Sequence, residues 1–434
     1  MAYGPVNVPG SGTGSSPSVT TIEVPVQHGS LTYNGEVQAP LWDNYNPNTV
    51  TVTGESSGTN AGTYTAIFTP NPNFQWSDGS IFQKYVTWEI QKAQGSFSLS
   101  TTGVTLDLSN MTKTITVTRP GNGTVSASSS NTSVATVSVS GTTITVRGVA
   151  KGSATITVTV AAGTNHTAPA NKTVSVTSNL PSKTLSENTP AVIQAAAKAG
   201  VAANFWSVGD AVLITLSGTV GDLSFGASSW TTKAFIIGFN HNSTVEGSNS
   251  IHFQFGKSNA NNKDVAFVDS KYNTTGSNAA FRMNTTNVNT GGWNDSYMRK
   301  TICPAFLNAL PTDWRNIIVA CTKHSDNTGG GKDTASQVTS TSDKIWLLSE
   351  FEVQGKRSYA NSAEQNYQKQ YDYYKNGNSK IKYKHDDMGS ACHWWLRSVY
   401  AASAAGFCTV STGGGANAHH AYYSLGFAPG FKVA

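Results

Sequence analysis

Ala391-Cys-His-Trp-Trp-Leu-Arg-Ser398 is the first of two blocks near the end of this 434-residue chain, and Ala428-Pro-Gly-Phe-Lys-Val-Ala434 is the second. From Ser398 to Phe431 there is no Lys, Glu, Gln, Met or Trp. Nearly all the residue types that do occur there have codons that arise from the asparagine codon AAC when only its adenines change. This pattern predicts a gene segment that is varied at adenines between two constant blocks.

The two blocks and the window between them differ in side-chain chemistry. The blocks supply residues predicted to form a scaffold that pins both ends of the window: Trp394, Trp395, Arg397, Pro429 and Phe431. The charge of Arg397 is expected either to reach the surface or to pair with a buried acid. The window mixes aromatic rings with small hydrogen-bonding residues, as antibody paratopes do.

We predict that the window forms a ligand-binding face made of these residues: Tyr400, Ser403, Ala404, Phe407, Thr409, Ser411, Thr412, Asn417, His419, His420, Tyr422, Tyr423 and Leu425. Gly413-Gly-Gly415 is predicted to be the tip of a hairpin within it. The alternative is a surface hairpin that has no partner.

The Trp-Trp-Leu-Arg-Ser block, the Tyr/Ser/Ala/His-rich interior and the closing Gly-Phe-Ala-Pro-Gly-Phe resemble the variable region of proteins diversified by diversity-generating retroelements. Segments 291–299 and 343–350 are similar to a wider family of bacterial and phage domains that end in a Trp-Trp-Leu-Arg-Ser block. This resemblance covers the last domain. It implies a C-type-lectin-like fold, shared with formylglycine-generating enzymes, and receptor binding of the kind performed by phage tropism determinants.

The rest of the chain divides by composition and by the two-residue period of its short β-branched runs. Ser130-Asn-Thr-Ser-Val-Ala-Thr-Val137 and Gly148-Val-Ala-Lys-Gly-Ser153 resemble the bacterial immunoglobulin-like module of intimin and invasin. The predicted order is a flexible N-terminal arm at 1–18, an immunoglobulin-like domain at 19–93, a bacterial immunoglobulin-like domain at 94–178, and a C-type-lectin-like domain at 179–434 with its variable region at about 398–427. The predicted fold class is two all-β immunoglobulin-like sandwiches followed by an α+β C-type-lectin-like domain.

Two aromatic features of the first module and three segments of the last domain carry specific predictions. Asn60-Ala-Gly-Thr-Tyr64 resembles the tyrosine corner of immunoglobulin-like repeats, and Trp42, Trp76 and Trp88 are expected to pack in the core or at its rim. Thr189 is predicted to cap a helix that starts at Pro190 and stops at Gly200. A second helical stretch is predicted over 294–310 with an interruption at Pro304, and 359–375 is predicted to be exposed.

Composition excludes several functions. The net charge of +5 is spread thinly along the chain, which argues against nucleic acid binding. No apolar run approaches the roughly 18 residues that a membrane helix needs, and the first residues lack a secretion-signal pattern. Four cysteines, at 303, 321, 392 and 408, lack the spacing of a zinc site. A bridge between Cys392 and Cys408 is one possibility, and buried free thiols are the favoured one because synthesis is expected in the cytoplasm.

Candidate reactive groups do not form a known catalytic motif. His241 and His252 could act as ligands beside Asp264 or Asp269, and a dense polar cluster contains these residues: His385, Asp386, Asp387, Cys392 and His393. Neither set contains HExxH or CxxC, and Thr328-Gly-Gly-Gly-Lys332 is predicted to be a turn. We therefore expect no catalytic residues, no metal and no cofactor. An enzyme acting on surface glycans would need two carboxylates about 5 to 10 Å apart in a cleft.

The sequence and the resemblance together predict a hypervariable receptor-binding protein, or adhesin, of a phage tail or virion, made in the host cytoplasm. Its expected partners are a bacterial surface receptor, either protein or glycan, and other virion proteins that hold its N-terminal part. A homo-oligomer such as a trimer is a further expectation, and membrane insertion is not expected. The alternatives are a bacterial cell-surface adhesin and a glycan-acting enzyme.

Overall fold

The computed structural model describes residues 18–225, 230–258, 261–275 and 279–434. The described residues divide into two units, of which the first contains residues 18–106 and 110–178 and the second contains residues 107–109 and those from 179 onward. The predicted N-terminal arm lies, except for Ser18, outside the described residues. No helix among the described residues is long and apolar enough to cross a bilayer.

The first module of the N-terminal unit is built from short strands, as its alternating β-branched runs predict. Its strands are Thr20–Ile22, Val26–His28, Leu31–Thr32, Leu41–Asp43, Val50–Gly54, Gly62–Pro70, Phe74–Trp76 and Lys84–Gln91. Trp76 and Trp88 lie in its core with at most 1% of their surface exposed. The hydroxyl of Tyr64 donates to the carbonyl of Asn60 at 2.6 Å, which closes the predicted tyrosine corner.

The second module is a sandwich of two four-stranded sheets. One sheet has the order Gly103–Leu106, Lys172–Ser178, Gly152–Val160 and Val125–Ser129, and the other has the order Ala135–Ser140, Thr143–Gly148, Thr112–Thr118 and Ser98–Leu99. Alternate residues of both sheets point inward, including Ile115, Val146 and Ile156. This period of two is what the sequence predicts for half-buried strands.

The C-terminal unit combines short helices with strands, as its α+β order predicts. Its helical segments are Leu185–Glu187, Pro190–Lys198, Ala202–Asn204, Ser243–Glu246, Gly292–Asp295, Met298–Ile302, Cys303–Ala309, Thr312–Ile317, Ala335–Gln337, Glu350–Gln354, Ser362–Asn366 and Asp372–Lys375. The side chain of Thr189 accepts from the backbone N–H of Val192, so it caps the helix as predicted.

The strands of the C-terminal unit form several sheets. They are Ala211–Leu216, Thr219–Val220, Leu223–Ser224, Trp230–Phe239, Ile251–Lys257, Val265–Ala266, Ile318–Val319, Cys321–Asp326, Val338–Asp343, Ile345–Trp346, Lys382–Lys384, Ala391–Cys392, Trp394–Val399, Gly406–Val410, Ala416–His420 and Gly430–Val433. The closing strand Gly430–Val433 pairs with Ile251–Lys257, Ile318–Val319 and Ile345–Trp346, so the end of the chain lies inside the largest sheet.

The window and the end of the first block together form a three-stranded antiparallel sheet. Trp394–Val399 pairs with Gly406–Val410, which in turn pairs with Ala416–His420. Gly413 to Gly415 lie in the turn between the last two strands, where the sequence predicts a hairpin tip. Both ends of the window are therefore anchored in buried strands.

Two predictions about the C-terminal unit are wrong. Segment 359–375 is not wholly exposed, because Tyr371, Tyr373 and Tyr374 are at most 3% exposed and pack in the main core. Pro304 does not interrupt the stretch over 294–310. It lies at the start of the helix Cys303–Ala309, where its missing N–H costs little, and a π-helical turn precedes it.

Candidate ligand-binding face

A cavity of about 510 Å³ opens beside this three-stranded sheet of the window. Its lining consists of Asn273, Tyr400, Ser403, Gly406, Ala418, His419, His420 and Tyr423. The rings of Tyr400, His419, His420 and Tyr423 therefore face the same space. Concave aromatic walls with a few polar groups are typical of ligand sites.

The cavity lining consists of aromatic, small and polar side chains. Among the described residues, no Asp, Glu, Lys or Arg lines it. Burial, together with the neighbouring charges of His393 and His420, lowers the pKa of His419 to about 4. The Nδ1 atom of His419 lies 3.0 Å from the hydroxyl of Thr409, which fixes the ring. The described part of the lining thus offers aromatic rings and hydrogen-bonding groups and contains no pair of carboxylates.

The structure divides the predicted binding face into three groups. Five of its residues line the cavity: Tyr400, Ser403, His419, His420 and Tyr423. Five others are exposed or half-buried outside the lining: Ala404, Ser411, Thr412, Asn417 and Tyr422. The prediction is wrong for the remaining three, Phe407, Thr409 and Leu425, whose side chains have 0% exposure.

The position of the buried residues in the sheet explains this error. Phe407 and Thr409 lie on Gly406–Val410, the central strand of the three-stranded sheet, and that strand is buried on both faces. A strand covered on both sides has no solvent-facing alternation. The sequence also gave no indication that Asn273, more than a hundred positions earlier, contributes to the lining.

The predicted scaffold residues are all buried. Trp394 and Trp395 are 0% exposed, and their indole N–H groups donate to the carbonyls of Lys380 at 3.0 Å and Phe281 at 2.8 Å. Pro429 is buried, and Phe431 stacks on Phe253 with ring centroids 5.0 Å apart. Satisfied polar atoms and close ring contacts fix these side chains in one arrangement.

Arg397 pairs with a buried acid, which is one of its two predicted alternatives. Its Nη1 and Nη2 atoms donate to the two carboxylate oxygens of Glu352, and Nε donates to the hydroxyl of Ser325 at 2.8 Å. Nη1 also donates to the carbonyl of Leu347 at 2.9 Å. Both members of the pair are 0% exposed, so the charges compensate each other in the core.

The ion pair continues into a buried network that the sequence did not indicate. The Nζ atom of Lys323 lies 3.0 Å from carboxylate oxygens of both Glu352 and Glu246, and it donates to the hydroxyl of Tyr371 at 2.8 Å. Burial alone would raise the pKa of Glu352, but the charges of Arg397 and Lys323 hold it well below its usual range. The network therefore links five separate segments of the chain, those of Glu246, Lys323, Glu352, Tyr371 and Arg397.

His241 and His252 do come together, but with Glu246 and not with Asp264 or Asp269. The potential ligand atoms of the three residues lie within 4.8 Å of one another. The ammonium of Lys323, 3.0 Å from Glu246, already supplies the cation there. This set therefore fits an internal ion pair better than a bound metal.

The other candidate reactive groups are also accounted for. Asp264 accepts from the ammonium of Lys257 at 2.9 Å, and Asp269 accepts backbone N–H groups. The cluster around His385 forms no group of three or more potential metal ligands within the part of the chain that the structure describes. All four cysteines are free and buried, and burial raises the pKa of each thiol, so the preferred prediction of free thiols is correct.

Because of the buried carboxyl of Glu364, we expect the free energy of unfolding of the C-terminal unit to decrease as pH rises. Its buried carboxyl accepts from Ser398 at 2.6 Å and from the N–H of Asp326 at 2.9 Å, and burial raises its pKa to about 7. The folded chain therefore holds this proton more tightly than the unfolded chain does. The resulting stability is complete below about pH 4.5 and is lost as pH rises through 7. Glu364→Gln should remove about 2 kcal/mol of this pH dependence, as measured by urea unfolding between pH 5 and 8.

Glu352 titrates in the opposite direction and provides the control. Because its folded pKa is lowered, its contribution to stability is lost only as pH falls below about 4.5. The Glu364→Gln variant should keep this loss at low pH. Parallel stability curves for the native and variant chains between pH 5 and 8 would contradict the role assigned to Glu364.

Two family models match parts of the chain. Residues 263–434 match the model described as "Domain of unknown function (DUF6273)". Residues 101–170 match the model of the "Bacterial Ig-like domain (group 2)". No curated protein matches the chain significantly.

Solved structures with some similarity include domains 4 and 5 of the S-layer protein SbsC, with 22% identity over 30% of this chain and 69% of that chain and a TM-score of 0.18. A SusE-like surface-located polysaccharide-binding protein of Bacteroides thetaiotaomicron shows 11% identity over 37% of this chain and 33% of its own, with a TM-score of 0.16. The D00-D0 domain of intimin shows 13% identity over 34% of this chain and 96% of its own, with a TM-score of 0.15. By its own strands the chain is mostly β, and residues 101–170 of its second module are similar to bacterial Ig-like domains.

Proposed function

We propose that the chain is a receptor-binding adhesin whose cavity beside the variable sheet holds a group of a bacterial surface receptor. The observation that carries the proposal is the convergence of Tyr400, His419, His420 and Tyr423 on one cavity. Tyrosine and histidine rings give large contact areas at low entropic cost, and Ser403 can supply an adaptable hydrogen bond. Binding without a chemical step is part of the proposal.

The difference in burial between the cavity lining and the scaffold residues favours diversification of the window. The aromatic residues that line the cavity are partly or largely exposed, whereas Trp394, Trp395 and Arg397 are 0% exposed. Substitutions at exposed positions change stability little, while changes in a packed core are costly. A gene segment confined to this window could therefore vary widely without unfolding the domain.

The proposal includes a phage tail or virion as the site of action and a C-type-lectin-like fold for the C-terminal unit. The adenine-accessible codon set and the Trp-Trp-Leu-Arg-Ser block support it. The Ig-like modules would act as spacers that hold the face away from the particle. Several copies per particle would convert weak single contacts into useful avidity. A bacterial surface adhesin would use the same cavity.

The pattern of natural variation tests the diversification. Deep sequencing of this gene across a natural population should show changes concentrated at the codons of exposed residues between 398 and 427. These changes should fall at positions that are adenines in a nearby template copy. The codons for Trp394, Trp395 and Arg397 serve as the internal control and should stay constant. Changes spread evenly over face and scaffold would overturn the diversification.

A further inference from the structure

Residues 400–406 form a loop that contributes to the cavity lining and is called the cavity loop. The side chain of Asn289 is fully buried and contacts this loop. Its side-chain Nδ2 donates to the carbonyl oxygens of Ser403 at 2.7 Å and Gly406 at 2.8 Å. Its backbone N–H donates to the carbonyl oxygen of Ala404 at 2.8 Å. One residue therefore holds the backbone of this loop at three points.

A turn of three glycines supports the same loop. Gly329, Gly330 and Gly331 have φ angles of 67°, 81° and 70°, a run of left-handed conformations that only glycine adopts readily. The N–H of Gly330 donates to Oδ1 of Asn289 at 2.9 Å. A Cβ atom added to Gly331 would lie 3.0 Å from the backbone nitrogen of Ala404, so the turn packs directly against the loop.

The glycine turn is itself held firmly. Oδ1 of Asp326 accepts the N–H groups of Thr328 at 3.0 Å and Gly329 at 2.9 Å. Nε2 of Gln337 donates to the carbonyl of Gly329 at 2.8 Å. Both Asp326 and Gln337 are buried, so water competes little for these hydrogen bonds.

We propose that Asn289 and Gly331 are positioning residues for the cavity, an inference that rests on the proposed binding function. They touch the loop through its backbone, and the loop supplies three residues of the lining, Tyr400, Ser403 and Gly406. Because the contacts involve carbonyl oxygens and backbone nitrogen, they do not depend on which side chains the loop carries. The loop can change its sequence and keep its shape.

A cavity loop that is held in one conformation by Asn289 and the glycine turn also favours tighter ligand binding. A loop that is already ordered loses less conformational entropy when a ligand binds. The same support would serve every sequence variant of the face. Asn289 and the glycine turn lie outside the variable window, which is where a constant support is needed.

Two glycine variants test the inference with matched backbone strain. Gly331→Ala and Gly330→Ala both place a side chain at a positive φ angle, but a Cβ at Gly330 meets nothing within 4 Å. In the ligand-free full chain, Gly331→Ala should speed hydrogen exchange at the amides of Tyr400, Ser403 and Ala405 by about tenfold. Gly330→Ala should leave these amides near their native rates.

Asn289→Asp provides an independent variant of nearly the same size. It keeps an acceptor for Gly330 and replaces the donor that serves Ser403 and Gly406 with an oxygen. It should speed exchange at the same loop amides. Unchanged exchange in both Gly331→Ala and Asn289→Asp would overturn the inference. If Asn289→Asp does not fold, the comparison of the two glycine variants decides the question.

The second readout is the affinity of each glycine variant for intact cells of a bacterial strain that binds the native chain. Gly331→Ala should bind about tenfold more weakly than Gly330→Ala, with the two melting temperatures alike. Faster loop exchange with unchanged affinity would overturn the positioning role while leaving the proposed function in place. Binding that survives loss of the cavity rings would instead overturn the proposed function, and the exchange data would still show whether Gly331 holds the loop.

Discussion

Replacing Arg397 by methionine is expected to lower the free energy of unfolding of the C-terminal unit by about 3 to 5 kcal/mol. The guanidinium is fully buried and donates to both carboxylate oxygens of Glu352. Methionine has a similar length but no charge, so Glu352 would lose its two hydrogen bonds from Arg397 and keep its ion pair with Lys323. Urea unfolding followed by tryptophan fluorescence measures the loss.

An exposed ion pair in the same unit provides the control. Lys300 contacts Asp295 at 2.7 Å, but their side chains are 57% and 51% exposed. Lys300→Ala should therefore change the free energy of unfolding by only about 0.5 kcal/mol. The transition of the N-terminal unit should be the same in both variants. Equal losses for Arg397→Met and Lys300→Ala would contradict the scaffold role of Arg397.

Local signals made part of the fold predictable. The helix Pro190–Lys198 has its cap residue, its proline and its stop within about a dozen positions, and each acts on neighbouring backbone. The tyrosine corner at Tyr64 depends on a carbonyl only four residues away. Strands of the second module follow from alternation because each has one solvent-facing side.

The buried polar network could not be predicted because its members are far apart in the sequence. Glu246, Lys323, Glu352 and Arg397 come from separate elements and become partners only in the folded chain. A charged residue taken alone usually predicts exposure, and for Arg397 a buried acid was one predicted alternative but its identity was not. The same limit explains the error at Tyr371, whose hydroxyl accepts from Lys323 in the core.

The candidate site was predictable in composition and only partly in geometry. The window was located by its residue types and by its flanking blocks, and its rings at 419, 420 and 423 do line the cavity. Composition carries no information on which face of a strand is covered. Phe407 and Thr409 were therefore wrongly assigned to the binding face. Asn289 gave no signal at all because its partners are backbone carbonyls more than a hundred residues away.

Replacing Tyr400, His419, His420 and Tyr423 by alanine in one chain is expected to weaken receptor binding by at least about 100-fold. These four rings supply most of the aromatic surface of the cavity. None of them is fully buried, so the melting temperature of the C-terminal unit should fall by only a few degrees. Retention of labelled chains by intact bacterial cells measures the binding, and thermal unfolding measures the stability.

The decisive control changes residues of the window outside the cavity lining. A chain with Ser411, Thr412 and Asn417 replaced by alanine should be retained by the same cells as well as the native chain. The measurement is a side-by-side retention assay of the native chain and both variants on one panel of strains, with unlabelled native chain as competitor. We expect retention of the native chain to be saturable and to be removed by the unlabelled competitor. Of the two variants, only the cavity variant should lose this retention. Retention of the cavity variant at the native level would contradict this expectation.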